Sequence, residues 1–310
     1  FFTLMTCFHP ITAYYSRVQN PTGKYSLVFN YEYSDKTRES VRVPCRKCIG
    51  CLLDQARDVS VRAYHESLLY DNNCFITLTY DNEHLPADRS VSKREFQLFM
   101  KRLRKYFSNI QIRFLACGEY GGQTNRPHYH ALLFGIDFLD KTAFSRSRAG
   151  YVNYVSATLA KLWPFGHHTI NSVSINSCGY VARYVTKKLF HSSRVLPTVK
   201  IDGRYYQVQP EFCLRSLRPG LGHDYFLKFY SDFYSVNSCL IDGKRYSIPA
   251  YYDLLLQRYH SDLYEQISEE RKIKLEEYKL TGELTSDRLR VREHVFKHHL
   301  NRSNVLARNL

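Results

Sequence analysis

The feature that most constrains the fold of this 310-residue chain is the order of its predicted strands and helices between residues 74 and 190. Short runs of β-branched and aromatic residues predict strands, and apolar residues spaced three and four apart predict helices. The strands are expected at 74–80, 110–118, 128–135 and 169–175, and the helices at 92–107, 156–163 and 177–190. This split order predicts an α+β domain with a mainly antiparallel sheet and helices on one side of it.

One of these helices has a well-defined start. Ser92 and Glu95 have the spacing of a capping box, in which the serine side chain caps the first turn. The apolar residues that follow fall on one face of the helix: Phe96, Phe99, Met100 and Leu103.

The regions on either side of this core have weaker patterns. A helix is expected at 52–70 and a hairpin around 25–33, while Asp-Gly pairs at 202–203 and 242–243 predict two further hairpins. From about residue 251 the sequence is helical and rich in both charge signs, with a break near 281–282; such helices are usually solvated, although a basic arm that grips duplex DNA is the other interpretation. We therefore expect three regions: a Cys-rich segment and helix (1–70), the core (71–192) and a C-terminal extension (193–310).

The overall charge favours a polyanionic partner. The sequence has 44 Lys and Arg against 29 Asp and Glu, a formal net charge of +15 and a pI near 9.3. Neutralisation of phosphates by basic side chains is the main non-specific contribution to nucleic-acid affinity, although a merely soluble basic protein is the alternative.

The cysteine count and the hydropathy concern the compartment. Nine cysteines, an odd number in a chain of this length, predict reduced thiols. No apolar run approaches the roughly 18 residues of a membrane span, and the N-terminus has no secretory pattern. We expect the natural start at Met5 and a cytosolic protein.

Two histidines and one glutamate form a candidate metal site. His128 and His130 are two residues apart on a predicted strand, so both imidazoles face the same side, and Glu119 on the neighbouring strand can reach the same point. Two imidazoles and one carboxylate leave coordination positions open, and the mixed set suits Mg²⁺ or Mn²⁺ with a phosphate oxygen as a further ligand. The alternative is two surface histidines on an amphipathic strand.

A tyrosine pair supplies candidate nucleophiles. Tyr180 and Tyr184 are four residues apart on a predicted helix, so their hydroxyls share a face, and Arg183, Lys187 and Lys188 place cations nearby. A phenol is a poor nucleophile near neutral pH, but it becomes effective when a metal polarises a phosphodiester and cations stabilise the phenolate.

The spacing alone does not identify the nucleophiles. Tyr230 and Tyr234 have the same spacing, in a Phe-rich stretch with no Lys or Arg in the following turn. Position and cationic surroundings favour the first pair.

Three segments, taken in order, resemble the motifs of the HUH-superfamily rolling-circle initiators. They are residues 75–79 (FITLT), 126–134 (RPHYHALLF) and 179–188 (GYVARYVTKK). The resemblance is greatest to the replication initiators of the Microviridae, the small single-stranded-DNA phages, and within them to the gokushovirus type, which Cys7 and the segments 44–51 and 210–220 also resemble.

This resemblance implies an HUH-type sheet and a metal-dependent, site-specific endonuclease and strand transferase. Such an enzyme nicks and rejoins single-stranded DNA at the viral origin through a 5′-phosphotyrosine. Glu119, His128 and His130 would bind Mg²⁺ or Mn²⁺, and Tyr180 and Tyr184 would alternate as nucleophiles.

The resemblance also implies DNA contacts and partners. Lys187 or Lys188 would stabilise developing charge, and further DNA contacts would come from Thr77, Thr79, Tyr80, Arg126 and Arg183. The implied partners are single-stranded and supercoiled viral DNA at the origin and a host replicative helicase and polymerase, with no membrane. The implied location is the cytoplasm of the bacterial host.

A cysteine cluster precedes the core. Cys45, Cys48 and Cys51 have Cys-x₂-Cys spacing, with Cys7 as a possible fourth thiol and His9 as its competitor. This spacing is typical of a structural Zn²⁺ site. The sequence has no second Cys-x₂-Cys pair outside this run, so reduced cysteines near a helix start are the alternative.

Two other functions remain open from the sequence. One keeps the chemistry but belongs to a plasmid relaxase or a tyrosine transposase of the same superfamily. The other is a non-catalytic zinc-knuckle nucleic-acid-binding protein, which would form no bond to DNA that survives denaturation.

Overall fold

The computed structural model describes residues 6–21, 23, 25–122, 124–146, 150–190, 197–201 and 203–302. It divides into two compact units. The first combines Phe1–Asp54 with Glu265–Asn309, and the second is formed by Gln55–Tyr264.

A seven-stranded sheet organises the second unit. Its strands are β4 (Asn73–Tyr80), β5 (Arg113–Tyr120), β6 (Pro127–Phe134), β7 (Thr142–Arg146), β8 (Val152–Val155), β9 (Gly166–Asn171) and β12 (Phe212–Arg215). The spatial order is β12-β5-β6-β4-β9-β8-β7, and every neighbouring pair is antiparallel. The α+β class and the antiparallel sheet are therefore confirmed.

The helices of this unit cover both faces of the sheet, so the expectation of helices on one side was wrong. They are α1 (Ile49–Ser67, which begins in the first unit), α2 (Lys93–Tyr106), α3 (Ala157–Leu162), α4 (Ile175–Phe190), α5 (His223–Ser235) and α6 (Ala250–Tyr259). Helices α2 and α3 pack with Ile76, Leu78 and Ala131 on one face. Helices α1 and α4 pack with Leu115 and Leu132 on the other. The reason is that the central strands carry apolar side chains at both odd and even positions, and each set needs cover.

The capping box at Ser92 is confirmed. The Ser92 side chain accepts a hydrogen bond from the Glu95 backbone N–H at 3.2 Å. The four apolar residues predicted for one face of α2 are all buried: Phe96, Phe99, Met100 and Leu103.

Two strands lie about three residues away from their predicted positions. Strand β5 begins at Arg113 rather than 110, and β9 ends at Asn171 rather than 175. Pairing with β4 sets the position of β9, because Tyr80 lies opposite Gly166 and Phe75 opposite Asn171. Apolar content alone does not fix such a register.

Two small hairpins complete the second unit, and both were predicted from Asp-Gly pairs. One joins β10 (Thr198–Ile201) to β11 (Arg204–Gln207), and the other joins β13 (Cys239–Ile241) to β14 (Lys244–Tyr246).

The first unit contains a three-stranded sheet in the order β2-β1-β3. Its strands are β1 (Ile11–Gln19), β2 (Tyr25–Val28) and β3 (Val41–Val43). The expected hairpin within 25–33 was wrong, because β2 pairs with β1 and a 3₁₀ turn follows at Tyr31–Tyr33.

The C-terminal helices are α7 (Ser261–Leu280), which begins in the second unit, and α8 (Ser286–Arg302), with the predicted break between them. None of the described helices combines the length and the apolar character needed to span a bilayer.

Candidate functional site

The β5–β6 pairing brings the candidate metal ligands together. Glu119 lies directly opposite His128, and His130, two residues further along β6, faces the same side. Glu119 Oε1 lies 2.8 Å from His128 Nε2 and 2.9 Å from His130 Nε2. The three ligand atoms all lie within 4.8 Å of one another.

Burial and hydrogen bonding divide the charge among these residues. Burial disfavours the ionised Glu119, but hydrogen bonds from both imidazoles outweigh it and hold the pKa of this carboxyl well below its usual range. Burial also opposes the charged form of His128, yet its contacts with Glu119 prevail and raise its pKa. For His130, which is fully enclosed, burial prevails and lowers the pKa. The cluster is thus a carboxylate, a readily protonated imidazole and a neutral imidazole.

The other ring nitrogens are held by neighbouring groups. His128 Nδ1 donates to the Arg126 carbonyl at 3.0 Å, and His130 Nδ1 lies 2.9 Å from Thr77 Oγ1. Such contacts orient metal-binding imidazoles and leave Nε2 for the ion. Two imidazoles and one carboxylate that converge in this way fit a divalent cation with open coordination positions.

The tyrosine pair of α4 faces this cluster. The Tyr180 hydroxyl donates to Glu119 Oε1 at 2.8 Å and lies 3.3 Å from His130 Nε2. The Tyr184 hydroxyl donates to the Tyr180 hydroxyl at 3.3 Å. Burial, reinforced by the Glu119 charge, raises the pKa of both phenols, so both are protonated in the metal-free protein.

The predicted cations near the tyrosines have different standing. The Arg183 guanidinium lies 5.6 Å from the centroid of the Tyr180 ring. The side chains of Lys187 and Lys188 lie outside the described residues, although the α4 backbone continues to Phe190.

Among the other residues predicted to contact DNA, Thr77 and Thr79 lie on the same face as the cluster. Arg126 is committed to its surroundings, since its guanidinium donates to the Tyr80 carbonyl at 3.1 Å and to Asn82 Oδ1 at 2.8 Å. Tyr80 corrects the expectation, because its side chain lies on the opposite face and is only 3% exposed. Its hydroxyl bonds the Tyr129 hydroxyl at 2.8 Å, so it belongs to the core.

A polar residue that the sequence reasoning missed extends the ligand row. Glu119 lies opposite His128, His128 opposite Thr79, and Thr79 opposite His167 of β9. Paired residues of an antiparallel sheet face the same side, so His167, which is exposed, shares the face of the cluster. The apolar cluster under α1 and α4 includes no described residue of β8 or β9. The signal in the sequence was the alternation of His167, Thr169 and Asn171 as polar residues, which becomes meaningful only through the register.

A second candidate metal site lies in the first unit. The sulfurs of Cys7, Cys45, Cys48 and Cys51 lie within 4.8 Å of one another. Cys45 Sγ and Cys51 Sγ are 4.0 Å apart, close to the ~3.8 Å between sulfurs around a tetrahedral ion with bonds of about 2.3 Å. His9, the alternative ligand, instead bonds Glu293 at 2.8 Å.

Backbone N–H groups point at the sulfurs of this cluster. The Cys45 N–H donates to Cys7 Sγ at 3.2 Å and the Cys48 N–H to Cys45 Sγ at 3.3 Å. Burial raises the pKa of the Cys7 thiol to about 11. For Cys45 burial acts in the same direction, but bonds from the Lys47 and Cys48 backbone outweigh it and lower the pKa to about 7. Four sulfurs with these bonds fit a thiophilic ion, and a bound cation would favour the thiolate form of all four.

The fold and the site together define an α+β protein with a Glu–His–His cluster on an antiparallel sheet, beneath a helix that carries two tyrosines. Comparison with known proteins assigns it a family. Residues 73–189, which contain the whole cluster and both tyrosines, match a family model that describes the replication-associated protein ORF2.

Whole-chain relatives extend this match. The chain is 32% identical to the replication-associated protein VP4 of Bdellovibrio phage phiMH2K, over 88% of this chain and 84% of the relative. It is 35% identical to the replication-associated protein ORF2 of Spiroplasma virus 4, over 77% of this chain and 73% of the relative. It is 32% identical to the replication-associated protein ORF4 of Chlamydia phage 1, over 74% of this chain and 57% of the relative. No solved structure matches the chain. The chain belongs to the replication-associated proteins of Microviridae-like phages, so the expected family is confirmed.

Proposed function

We propose that this protein initiates rolling-circle replication by nicking and rejoining single-stranded DNA at the phage origin, with the sheet acting as an HUH-type endonuclease core. The observation that carries this proposal is the position of the Tyr180 hydroxyl, 2.8 Å from Glu119 Oε1 and 3.3 Å from His130 Nε2. A nucleophile and the candidate ligands of a divalent cation therefore share one point. Membership of a family of phage replication-associated proteins supports the biological role.

The cleavage step follows from this geometry. The Tyr180 oxygen attacks the phosphorus of one phosphodiester, and the bond from phosphorus to the 3′-oxygen breaks. The strand then ends in a free 3′-hydroxyl, which takes up a proton, while the 5′-phosphate stays on the tyrosine as an ester. Mg²⁺ or Mn²⁺ held by Glu119, His128 and His130 would polarise the phosphate and lower the cost of the phenolate.

The chain's own residues prepare the nucleophile. Because burial raises the pKa of Tyr180, attack requires positive charge close to the hydroxyl. The guanidinium of Arg183 beside the Tyr180 ring contributes to this charge. Lys187 or Lys188, on the following turn of α4, would add to it.

Two tyrosines permit alternate cleavage. The phosphotyrosine ester retains the energy of the cleaved bond, so a 3′-hydroxyl can attack it, reform a phosphodiester and return the phenol. While one tyrosine carries DNA, the other cleaves the regenerated origin. We assign the first cleavage to Tyr180, because its hydroxyl contacts both Glu119 and His130.

The DNA path and the partners complete the proposal. Thr77, Thr79 and His167 would lie beneath the strand on the half of the sheet beside α4, with Arg126 at its end. A host replicative helicase and polymerase would extend the 3′-hydroxyl in the cytoplasm of the bacterial host. The four-cysteine cluster would hold structural Zn²⁺, which a chromogenic chelator would detect as one equivalent per chain, lost in Cys48→Ser.

The experiment that tests the nicking activity is a denaturing gel for a covalent protein–DNA adduct. The substrates are single-stranded oligonucleotides tiled across the phage genome and labelled at the 3′ end, because the adduct retains the 5′-phosphate side of the nick. We expect an adduct with Mn²⁺ that is absent with EDTA, with His128→Ala and with the Tyr180→Phe/Tyr184→Phe double variant.

The chain offers a matched control. Tyr230 and Tyr234 have the same spacing on α5, so the Tyr230→Phe/Tyr234→Phe double variant should form the adduct normally. If wild-type protein bound DNA but formed no adduct on any tile, the nicking proposal would be refuted and a binding role would remain.

A further inference from the structure

The small sheet of the first unit exposes an unusual amount of apolar surface. Within β1–β3 and the 3₁₀ turn with its cap, only Ala13 and Ser34 are buried. The exposed side chains that we call the aromatic ribbon are those of Leu27, Phe29, Tyr31 and Tyr33. The three aromatic members are 63%, 53% and 68% exposed. Clustered apolar side chains on a folded surface mark a binding site more often than scattered ones do.

Cations accompany these rings. The Lys36 ammonium lies 5.6 Å from the centroid of Tyr31, and the Arg38 guanidinium lies 3.7 Å from that of Tyr25. Arg38 also lies 5.8 Å from the centroid of Tyr15, whose strand pairs with Leu27. Residues 11–47 contain seven Lys and Arg but three Asp and Glu.

This pairing of rings with cations decides which partner fits. The centres of protein–protein interfaces are depleted in most charged residues, whereas here a cation stands beside the rings of β1, β2 and the 3₁₀ turn. Single-stranded nucleic acid has the complementary chemistry, since its bases stack on aromatic rings and its phosphates pair with Lys and Arg. Every base has a π-face, so such a surface binds without regard to sequence.

We propose that the aromatic ribbon is a second single-stranded-DNA-binding surface, in a different unit from the tyrosine site. It rests on the proposed function only in taking single-stranded DNA as the substrate. Bases of the strand outside the nick stack on Phe29, Tyr31 and Tyr33, and Lys36 and Arg38 pair with the intervening phosphates. This surface holds the strand independently of its sequence, while the tyrosine site acts on the origin.

Binding measurements with the full chain test this proposal. The affinity of Phe29→Ala/Tyr33→Ala for a labelled 40-nucleotide oligo-dT, followed by fluorescence anisotropy, should fall about tenfold or more, since stacked rings commonly contribute this much. Tyr205→Ala, which removes a ring 73% exposed on β11, is the matched control and should bind like wild type. Arg38→Gln should lower the affinity and flatten its dependence on salt. Far-UV circular dichroism shows that each variant is folded.

Crosslinking supplies a second measurement that needs no variant. Ultraviolet irradiation of the wild-type complex with oligo-dT, followed by mass spectrometry, should attach DNA to peptides within residues 25–36. Crosslinks confined to the second unit, or equal affinity of the ribbon variant and wild type, would overturn the proposal. A change in sedimentation coefficient of the ribbon variant with unchanged DNA affinity would overturn it in favour of a protein partner.

The outcome is separable from that of the nicking test. Ribbon-dependent binding without any covalent adduct would leave this inference standing and remove the proposed nicking. A normal adduct on short origin oligonucleotides with ribbon-independent binding would do the opposite.

Discussion

Replacing Tyr180 by Phe should abolish the first cleavage, whereas replacing Tyr184 by Phe should leave it nearly intact. Both hydroxyls lie near Glu119, but their positions differ. The Tyr180 oxygen is 2.8 Å from the carboxylate and 3.3 Å from the His130 imidazole, and Tyr184 Oη bonds the Tyr180 hydroxyl at 3.3 Å. The Tyr180→Phe variant lacks the attacking atom at the cluster.

The size of the Tyr184 effect follows from its bond to the Tyr180 hydroxyl. Tyr184→Phe removes a hydrogen bond between two neutral hydroxyls, which is worth about 0.5–1.5 kcal/mol. Because ~1.4 kcal/mol corresponds to about a tenfold change in rate, the first cleavage should slow by roughly two- to thirteenfold. Tyr180→Phe should instead reduce it by more than about a thousandfold, in line with the loss of a nucleophile.

A single-turnover assay separates the two variants. Protein in excess is mixed with 3′-labelled origin oligonucleotide and Mn²⁺, quenched at intervals, and the adduct is resolved on a denaturing gel. A second cleavage is then offered by adding an oligonucleotide that regenerates the origin on joining. We expect Tyr184→Phe to form the first adduct but not to transfer to a second tyrosine. Equal loss of the first adduct in both variants, or its retention in Tyr180→Phe alone, would refute the assignment.

Three further predictions concern the metal, the core and the DNA path. In the metal-free protein the stabilisation from Glu119, whose pKa is lowered from 4.5, is present above that value and lost as the pH falls towards the folded pKa; that from His128, whose pKa is raised above 6.5, is present below 6.5 and lost as the pH rises through the folded pKa. Since protonated imidazole does not bind metal, calorimetry should show Mn²⁺ affinity rising with pH until His128 is neutral, and a flat profile would contradict this. Glu66→Ala should lower the free energy of unfolding in urea by about 3–5 kcal/mol, because it strands the buried Arg113 guanidinium; a loss below ~1 kcal/mol would show that the pair is not needed. His167→Ala should weaken binding of a short origin oligonucleotide about tenfold in anisotropy while adduct formation persists at saturating DNA, and unchanged affinity would exclude β9 from the path.

The two parts of the proposed function differ in how they depend on the fold. The Glu–His–His cluster is made within one hairpin, because Glu119 and His128 are paired across β5 and β6. The nucleophiles come from α4, more than forty residues later in the chain. The packing of Val181 and Ala182 against the sheet fixes Tyr180 over the ligands, so substitutions beneath α4 should affect cleavage without touching the cluster.

Local patterns in the sequence determined much of this protein. The start of α2 at the Ser92 cap, the apolar face from Phe96 to Leu103 and the two Asp-Gly hairpins depend on neighbouring residues only. The shared face of His128 and His130 follows in the same way, because side chains alternate along a strand. These features have short periods, and short periods are readable without the fold.

Only the tertiary structure decided the remaining features. Cys7 joins Cys45, Cys48 and Cys51 through chain closure over almost forty residues, and His167 joins the ligand row because β9 pairs with β4 in one register out of several. Tyr80 was expected beside the DNA and lies in the core, since neighbouring residues of a strand face opposite sides and only the placement of α4 shows which side carries the site. Strand order and register arise from the burial of two faces at once, and no window of sequence contains both.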